Sequence, residues 1–279
     1  RRQRQMCIRD RADCLFIDED HILVAAADGV ENYEIATGNV LWTGEKATFI
    51  TISGDGKTAA CVNREDSKAI LYDTESGEKM TECDFEGRQL RVVTNDILAD
   101  PKDNIFALNQ DGSLLAVSFS DGGVELFDLH DPEESLILYD TSDYIHMEGG
   151  FSGDYFAYAV RNGTDNVFGL VDTVQGISLG ENAAQDPFYL KADENGIYLA
   201  NTNLLVQITP QGEQLELAYT NNVNINAFAI GETYAMAACE DNSFSFYDSG
   251  AHLSSRETGE NLFDFLEPVS YTHLTLPTN

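Results

Sequence analysis

Apolar and polar positions alternate along this chain in short runs, and each run ends at a turn-forming residue. The pattern is clearest from Phe106 to Leu129, FALNQDGSLLAVSFSDGGVELFDL, which reads as strand, Asp111-Gly112 turn, strand, Asp121-Gly122-Gly123 turn, strand. Gly, Asn and Asp close such turns because they tolerate positive φ or hydrogen-bond their own backbone. Period-two alternation then commits one face of each strand to a core. Three antiparallel strands in this stretch are most of a four-stranded sheet.

The unit recurs. A turn after the third strand falls at Gly38, Gly77, Pro132, Gly176, Gly212 and Gly250, in steps of 39, 55, 44, 36 and 38 residues. A second anchor, between the first and second strands, keeps step with it at Asp18–His21, Gly54–Gly56, Asp111–Gly112, Gly153–Asp154, Asn195–Gly196 and Gly231–Glu232. A step near 40 residues holds four short strands with their turns, the size of one propeller blade. The expected fold is all-β, a β-propeller with six recognisable four-stranded blades in a ring of six to eight.

Strand composition agrees with a radial array. The strand after the second anchor is rich in small residues (Ala59–Cys61, Leu115–Val117, Ala157–Ala159, Ala235–Cys239), as sheets crowding toward an axis require. Bulky Tyr33, Tyr72, Phe127 and Tyr247 lie one strand further out. No long segment has the 3.6-residue period of a helix. The 55-residue step contains Gln89–Asp103, expected as a long outer strand and an extended loop broken at Pro101.

Composition changes the picture at the two ends. Residues 1–11 hold five of the ten arginines, and one permitted codon choice for Arg1 to Asp10 has a reverse complement that translates as Val269 to Thr278. Selection on a folded protein has no reason to produce that complementarity. Residues 1–11 and 269–279 look like translated sequencing-adapter tails, which leaves one β-propeller domain over 12–268, expected to be a fragment without its true ends. In that domain 11 basic residues face 47 acidic ones. Such a surface repels nucleic acid and anionic lipid and favours cationic partners. No apolar run is long enough to span a bilayer; the acidity fits a secreted or a salt-tolerant protein, and with the true start expected to be missing the compartment stays open, extracytoplasmic or cell-envelope being favoured.

Candidate chemistry is sparse. Cys14, Cys61, Cys83 and Cys239 form no CxxC pair and are expected as buried thiols. His21, His130, His146 and His252 sit beside turns and are expected as exposed loop residues. There is no nucleophile elbow, HExxH, P-loop or calcium-loop motif. Neither cofactor nor metal is expected. The loops joining second to third strands gather on one face of a propeller, so Arg64, Asp66, Asp121, Arg161, Asn162, Asp165, Asn201, Asn203 and Asp241 are the candidate partner-binding residues. Arg64 and Arg161 stand out because the domain holds only five arginines, and a guanidinium anchors a carboxylate by a two-point contact.

Two stretches carry a family resemblance. Asp28 to Trp42, DGVENYEIATGNVLW, resembles a quinoprotein-type (PQQ-like) propeller repeat, and Phe106 to Leu129 is similar to a WD40 repeat. The resemblance implies a propeller over essentially all of 12–268. The expected function is a non-catalytic protein-interaction or sensor module of a bacterial protein, binding another protein or peptide through one loop face. The alternative is a propeller hydrolase, lyase or quinoprotein dehydrogenase with its site in the central channel.

Overall fold

A computed structural model describes residues 14–26, 28–63, 66–90, 105–131, 135–140, 146–161, 166–184, 188–193, 195–209, 213–220, 223–231, 234–248 and 251–257. Its elements are strands, and among the described residues no helix is long and apolar enough to cross a membrane. The strands form six four-stranded antiparallel sheets. The first contains β1 (Cys14–Phe16), β2 (His21–Ala26), β3 (Gly29–Glu34) and β4 (Asn39–Thr43). The second contains β5 (Phe49–Ile52), β6 (Thr58–Val62), β7 (Lys68–Asp73) and β8 (Lys79–Asp84), and the third β9 (Phe106–Leu108), β10 (Leu114–Ser118), β11 (Gly123–Asp128) and β12 (Ser135–Asp140). The fourth has β13 (His146–Ser152), β14 (Tyr155–Arg161), β15 (Asn166–Asp172) and β16 (Ile177–Ala184), the fifth β17 (Phe188–Asp193), β18 (Gly196–Asn201), β19 (Leu204–Ile208) and β20 (Gln214–Tyr219). The sixth has β21 (Ile225–Ile230), β22 (Tyr234–Cys239), β23 (Ser243–Asp248) and β24 (Ala251–Glu257). In each sheet the strands are hydrogen-bonded in chain order, so every connection is a hairpin.

These sheets are the six repeats that the turn spacing predicts. Aspartates close many of the hairpins: the Asp55, Asp111, Asp128 and Asp193 Oδ1 atoms each accept the backbone N–H two residues on, and Asp73 that of Ser76. A side chain that satisfies the turn's own donors favours the turn wherever the chain places it.

The chain divides into two compact units, residues 1–182 with 192–195, and 183–191 with 196–279. In the first, cores lie between successive sheets. One joins Leu23, Ala25 and Val30 to Ile50, Ala59, Cys61, Ile70 and Tyr72. The next joins Ala60, Val62, Ala69, Leu71 and Phe85 to Leu115, Val117, Phe119 and Phe127. A third joins Ala116, Val124 and Leu126 to Met147, Phe156, Tyr158 and Val171. In β6 every residue is buried because its alternating sides enter different cores. In the second unit, Ala200, Leu205 and Ala218 pack with Ile225, Ala235, Ala237 and Tyr247.

Neighbouring sheets are also tied by polar side chains. Trp42 of β4 donates from Nε1 to the Thr74 carbonyl at 2.8 Å, beside a bond from Asn32 Nδ2 at 3.1 Å, and its ring stacks on Tyr72 at 5.7 Å. Tyr72 Oη in turn accepts the Glu45 N–H, and within the second unit Tyr247 Oη donates to the Tyr219 carbonyl.

In the first, second, third and fifth sheets the fourth strand is the exposed one. In five sheets its pairing with the third strand carries a register shift, opposite Asn32/Tyr33, Leu71/Tyr72, Val124/Glu125, Leu205/Val206 and Phe246/Tyr247. The extra residue in each is apolar: Leu41, Met80, Leu138, Leu217 and Leu253.

Some expectations need correction. His21, His146 and His252 are strand residues paired with Glu34, Arg161 and Tyr247, because backbone pairing continues beyond the apolar run to the turn. Cys61, Cys83 and Cys239 are buried, and burial pushes the Cys83 thiol up to about 12, but Cys14 is exposed on the short first strand. The predicted strand and loop over 89–103 falls almost wholly outside the described residues. At its start, Leu90 forms an isolated bridge with Phe119.

Candidate functional site

The connections from second to third strand lie at one end of each sheet, opposite the turns that join first to second and third to fourth strands. Arg64, Asn162 and Asp165 fall outside the described residues, and for Arg161 and Asn201 only the backbone is described, in β14 and β18. Asp66 is exposed, and its Oδ2 accepts from Asn63 Nδ2 at 3.2 Å. Asp241 is exposed and accepts both the Ser243 N–H at 3.0 Å and its hydroxyl at 2.6 Å. The Asn203 carbonyl accepts the Thr220 N–H at 3.0 Å.

Asp121 is the one whose surroundings are most elaborate. Arg88, on the connection that leaves β8, reaches the third sheet and forks onto it: Nε donates to Oδ2 at 2.8 Å and Nη2 to Oδ1 at 2.9 Å. Nη1 bonds Glu125 Oε1, and the guanidinium carbon stands 3.9 Å from the Phe119 ring centroid. The second Glu125 oxygen accepts the Ser135 hydroxyl at 3.1 Å. Glu125 lies within β11 with its side chain only 8 % exposed, so its charge is out of water and depends on Arg88. Gly123 makes room, since a Cβ there would sit 2.3 Å from Arg88 Nη2. The backbone follows the same path, with the Ser120 N–H donating to the Gln89 carbonyl at 2.8 Å.

Sequence reasoning names Asp121 but misses Arg88 and Glu125. A signal existed: Glu125 is a carboxylate within the otherwise apolar run of β11, and such a group requires a cation from somewhere. Arg88 is 33 residues from Asp121, which no local pattern spans. Chemically the arrangement holds a loop rigidly; Arg88 is engaged on both sides and is not poised to take a proton or a substrate. Among the described residues no group of three His, Cys, Asp or Glu side chains converges as metal ligands do.

Arg88 holds the Asp121 carboxyl below the usual carboxylate range, and hydrogen bonds from Ser113 and Ser76 do the same for Asp111 and Asp73. A carboxyl with a depressed folded-state pKa adds stability above its unfolded value, about 3.9, and loses it as pH falls through the folded one. The melting temperature should therefore drop as pH falls below about 4. Protonation also relieves the chain's self-repulsion, which acts the other way. The readout is the difference between wild type and Asp121→Asn across pH 2–6, where the variant is expected to show the shallower acid loss. Parallel curves would rule this out.

A scan against protein-family models finds no match, and a search of curated proteins finds none. Solved structures do resemble this chain. The computationally designed Ika8 protein matches with a TM-score of 0.60 at 16% identity, over 87% of this chain and 73% of that one. The β-propeller domain of Myceliophteria thermophila Cps50 (Swd1) matches at 0.59 and 13%, over 89% and 87%. KlAtg21, in complex with the coiled coil of AgAtg16, matches at 0.54 and 13%, over 89% and 84%. Identities this low carry the fold and nothing further. The fold class is an all-β propeller with six four-stranded blades.

Proposed function

We propose that this chain is a non-catalytic protein-interaction or sensor module that binds another protein or peptide through the loops joining second to third strands. The observation that carries this reading is the Arg88 fork beneath Asp121 to Gly123, which fixes one of those loops in advance of any partner. A loop ordered beforehand loses less entropy on binding. KlAtg21, which shares the fold, is described with a coiled coil bound, and that supports a protein partner over a small substrate. Acidic composition directs the choice to a cationic one.

The test uses the chain as bait, identifies what it retains, and measures the purified partner against loop variants by calorimetry. Arg64→Ala with Arg161→Ala, or Asp66→Asn with Asp241→Asn, is expected to weaken binding about tenfold in at least one pair while leaving the melting temperature unchanged. A partner held equally by both pairs of variants excludes these loops.

A further inference from the structure

We infer a second interaction surface, on the first blade at the end opposite those loops, that takes a cationic segment of a partner protein carrying apolar side chains. It goes beyond the loop face and does not depend on it. Three apolar side chains there face water: Ile35 in the turn after β3 is 44% exposed, and Val40 and Leu41 of β4 are 44% and 49% exposed. The turn that holds Ile35 is hydrogen-bonded to the turn between β1 and β2, the Ile35 N–H donating to the Asp20 carbonyl at 2.7 Å. Apolar side chains and the carboxylates of Glu19, Asp20 and Glu34 therefore share one end of the sheet.

The charge at that end of the blade is mostly negative: Asp18, Glu19, Asp20 and Glu34 lie in or beside its two turns, and Lys57, in the second-blade turn whose Gly56 approaches Ile17, is paired with Asp55. Asp18 is taken up by His21, whose ring Nδ1 lies 2.8 Å from its Oδ1, while Glu19 and Asp20 are exposed. An apolar patch inside a negative field selects a partner with apolar groups between positive ones. A second copy of this acidic chain is repelled.

The bulge decides the mode of contact. Leu41 is the extra residue between the Tyr33–Val40 and Asn32–Trp42 pairs, so β4 bends and interrupts its outer edge. An interrupted edge disfavours addition of a long partner strand. Recognition then falls to side chains, with Leu41 turned out of the ladder as the apolar point of contact.

The experiment titrates the full chain into a fluorescein-labelled peptide of alternating Lys and Leu, read by anisotropy at two salt concentrations, beside a Lys–Ser peptide and a Glu–Leu peptide. The Lys–Leu peptide is expected to bind, more weakly in high salt. Val40→Ser with Leu41→Ser, and separately Asp20→Asn with Glu34→Gln, should each weaken it about tenfold, whereas Asp241→Asn should not. All the substituted side chains are exposed or half-buried, and an unchanged melting temperature confirms that the variants are folded. Equal binding of the Lys–Ser peptide, or indifference to the blade-one variants, reduces the effect to diffuse charge and overturns the proposal. A dimer by light scattering that Leu41→Ser dissociates assigns the patch to a second copy. Binding that emerges only when residues 1–11 are removed assigns it to the chain's own arginines. Either outcome also overturns it.

Discussion

Arg88→Met is expected to lower the unfolding free energy by about 3–5 kcal/mol, the cost of leaving a buried carboxylate without its cation. Methionine keeps much of the length of the apolar stem and removes the fork together with the guanidinium over Phe119. Glu125, 8% exposed, then has only the Ser135 hydroxyl to stabilise its charge. Urea denaturation followed by circular dichroism measures the loss. The double variant Arg88→Met with Glu125→Gln is expected to recover most of it, because no buried charge remains. Arg88→Lys should rescue poorly: one ammonium does not reproduce the two-point bond to Asp121 together with the bond to Glu125. Purely additive losses in the double variant would mean that the pair is not coupled, and the fork would then be ornamental to stability.

Gly77→Ala is expected to cost about 2–4 kcal/mol, combining a left-handed backbone with a collision. Gly77 has φ 72°, and a Cβ there would lie 2.4 Å from Trp42 Cγ. Gly38 and Gly176 hold the same turn position in the first and fourth blades at φ 69° and 64°, but nothing lies within 4 Å of their Cβ positions. Gly38→Ala and Gly176→Ala should therefore cost only the backbone part, about 1 kcal/mol. The excess at Gly77 measures how tightly Trp42 seats the first blade on the second. Equal losses at all three glycines, by denaturant midpoint, would show that the indole gives way.

What was legible in the chain is what closes locally. Asp111 satisfies Ser113 two residues away, and Asp73 satisfies Ser76 three away, so the turns and hence the six repeats are written in short range. Small residues of β6 and β10 are legible for the same reason, since crowding constrains each strand directly. The links between blades are not. Trp42 reaches Thr74 and Arg88 reaches Asp121 over 32 and 33 residues, and which blade supplies a partner depends on sheet geometry that no motif encodes. The register shifts on the fourth strands are hidden too: Leu41 falls inside the apolar run Val40 to Trp42, which reads as an ordinary strand, and nothing around Met80 in Lys79 to Asp84 marks it as an extra residue. At the candidate site, the loops were located but not what lies under them. Glu125 reads as polar noise in an apolar strand until Arg88 is placed beside it.

The inner strands carry one more consequence. Ala59 and Ala60 are joined by a peptide bond yet live in different rooms, the one with Leu23 and Ile70, the other with Leu71 and Leu115. A strand such as β6 is a party wall. Damage on one side is felt by tenants across the gap and not by the residue next in line, so effects at 59 and 61 should interact with each other and ignore those at 60 and 62. Deleting a single residue from that wall would exchange the occupants of both rooms at once.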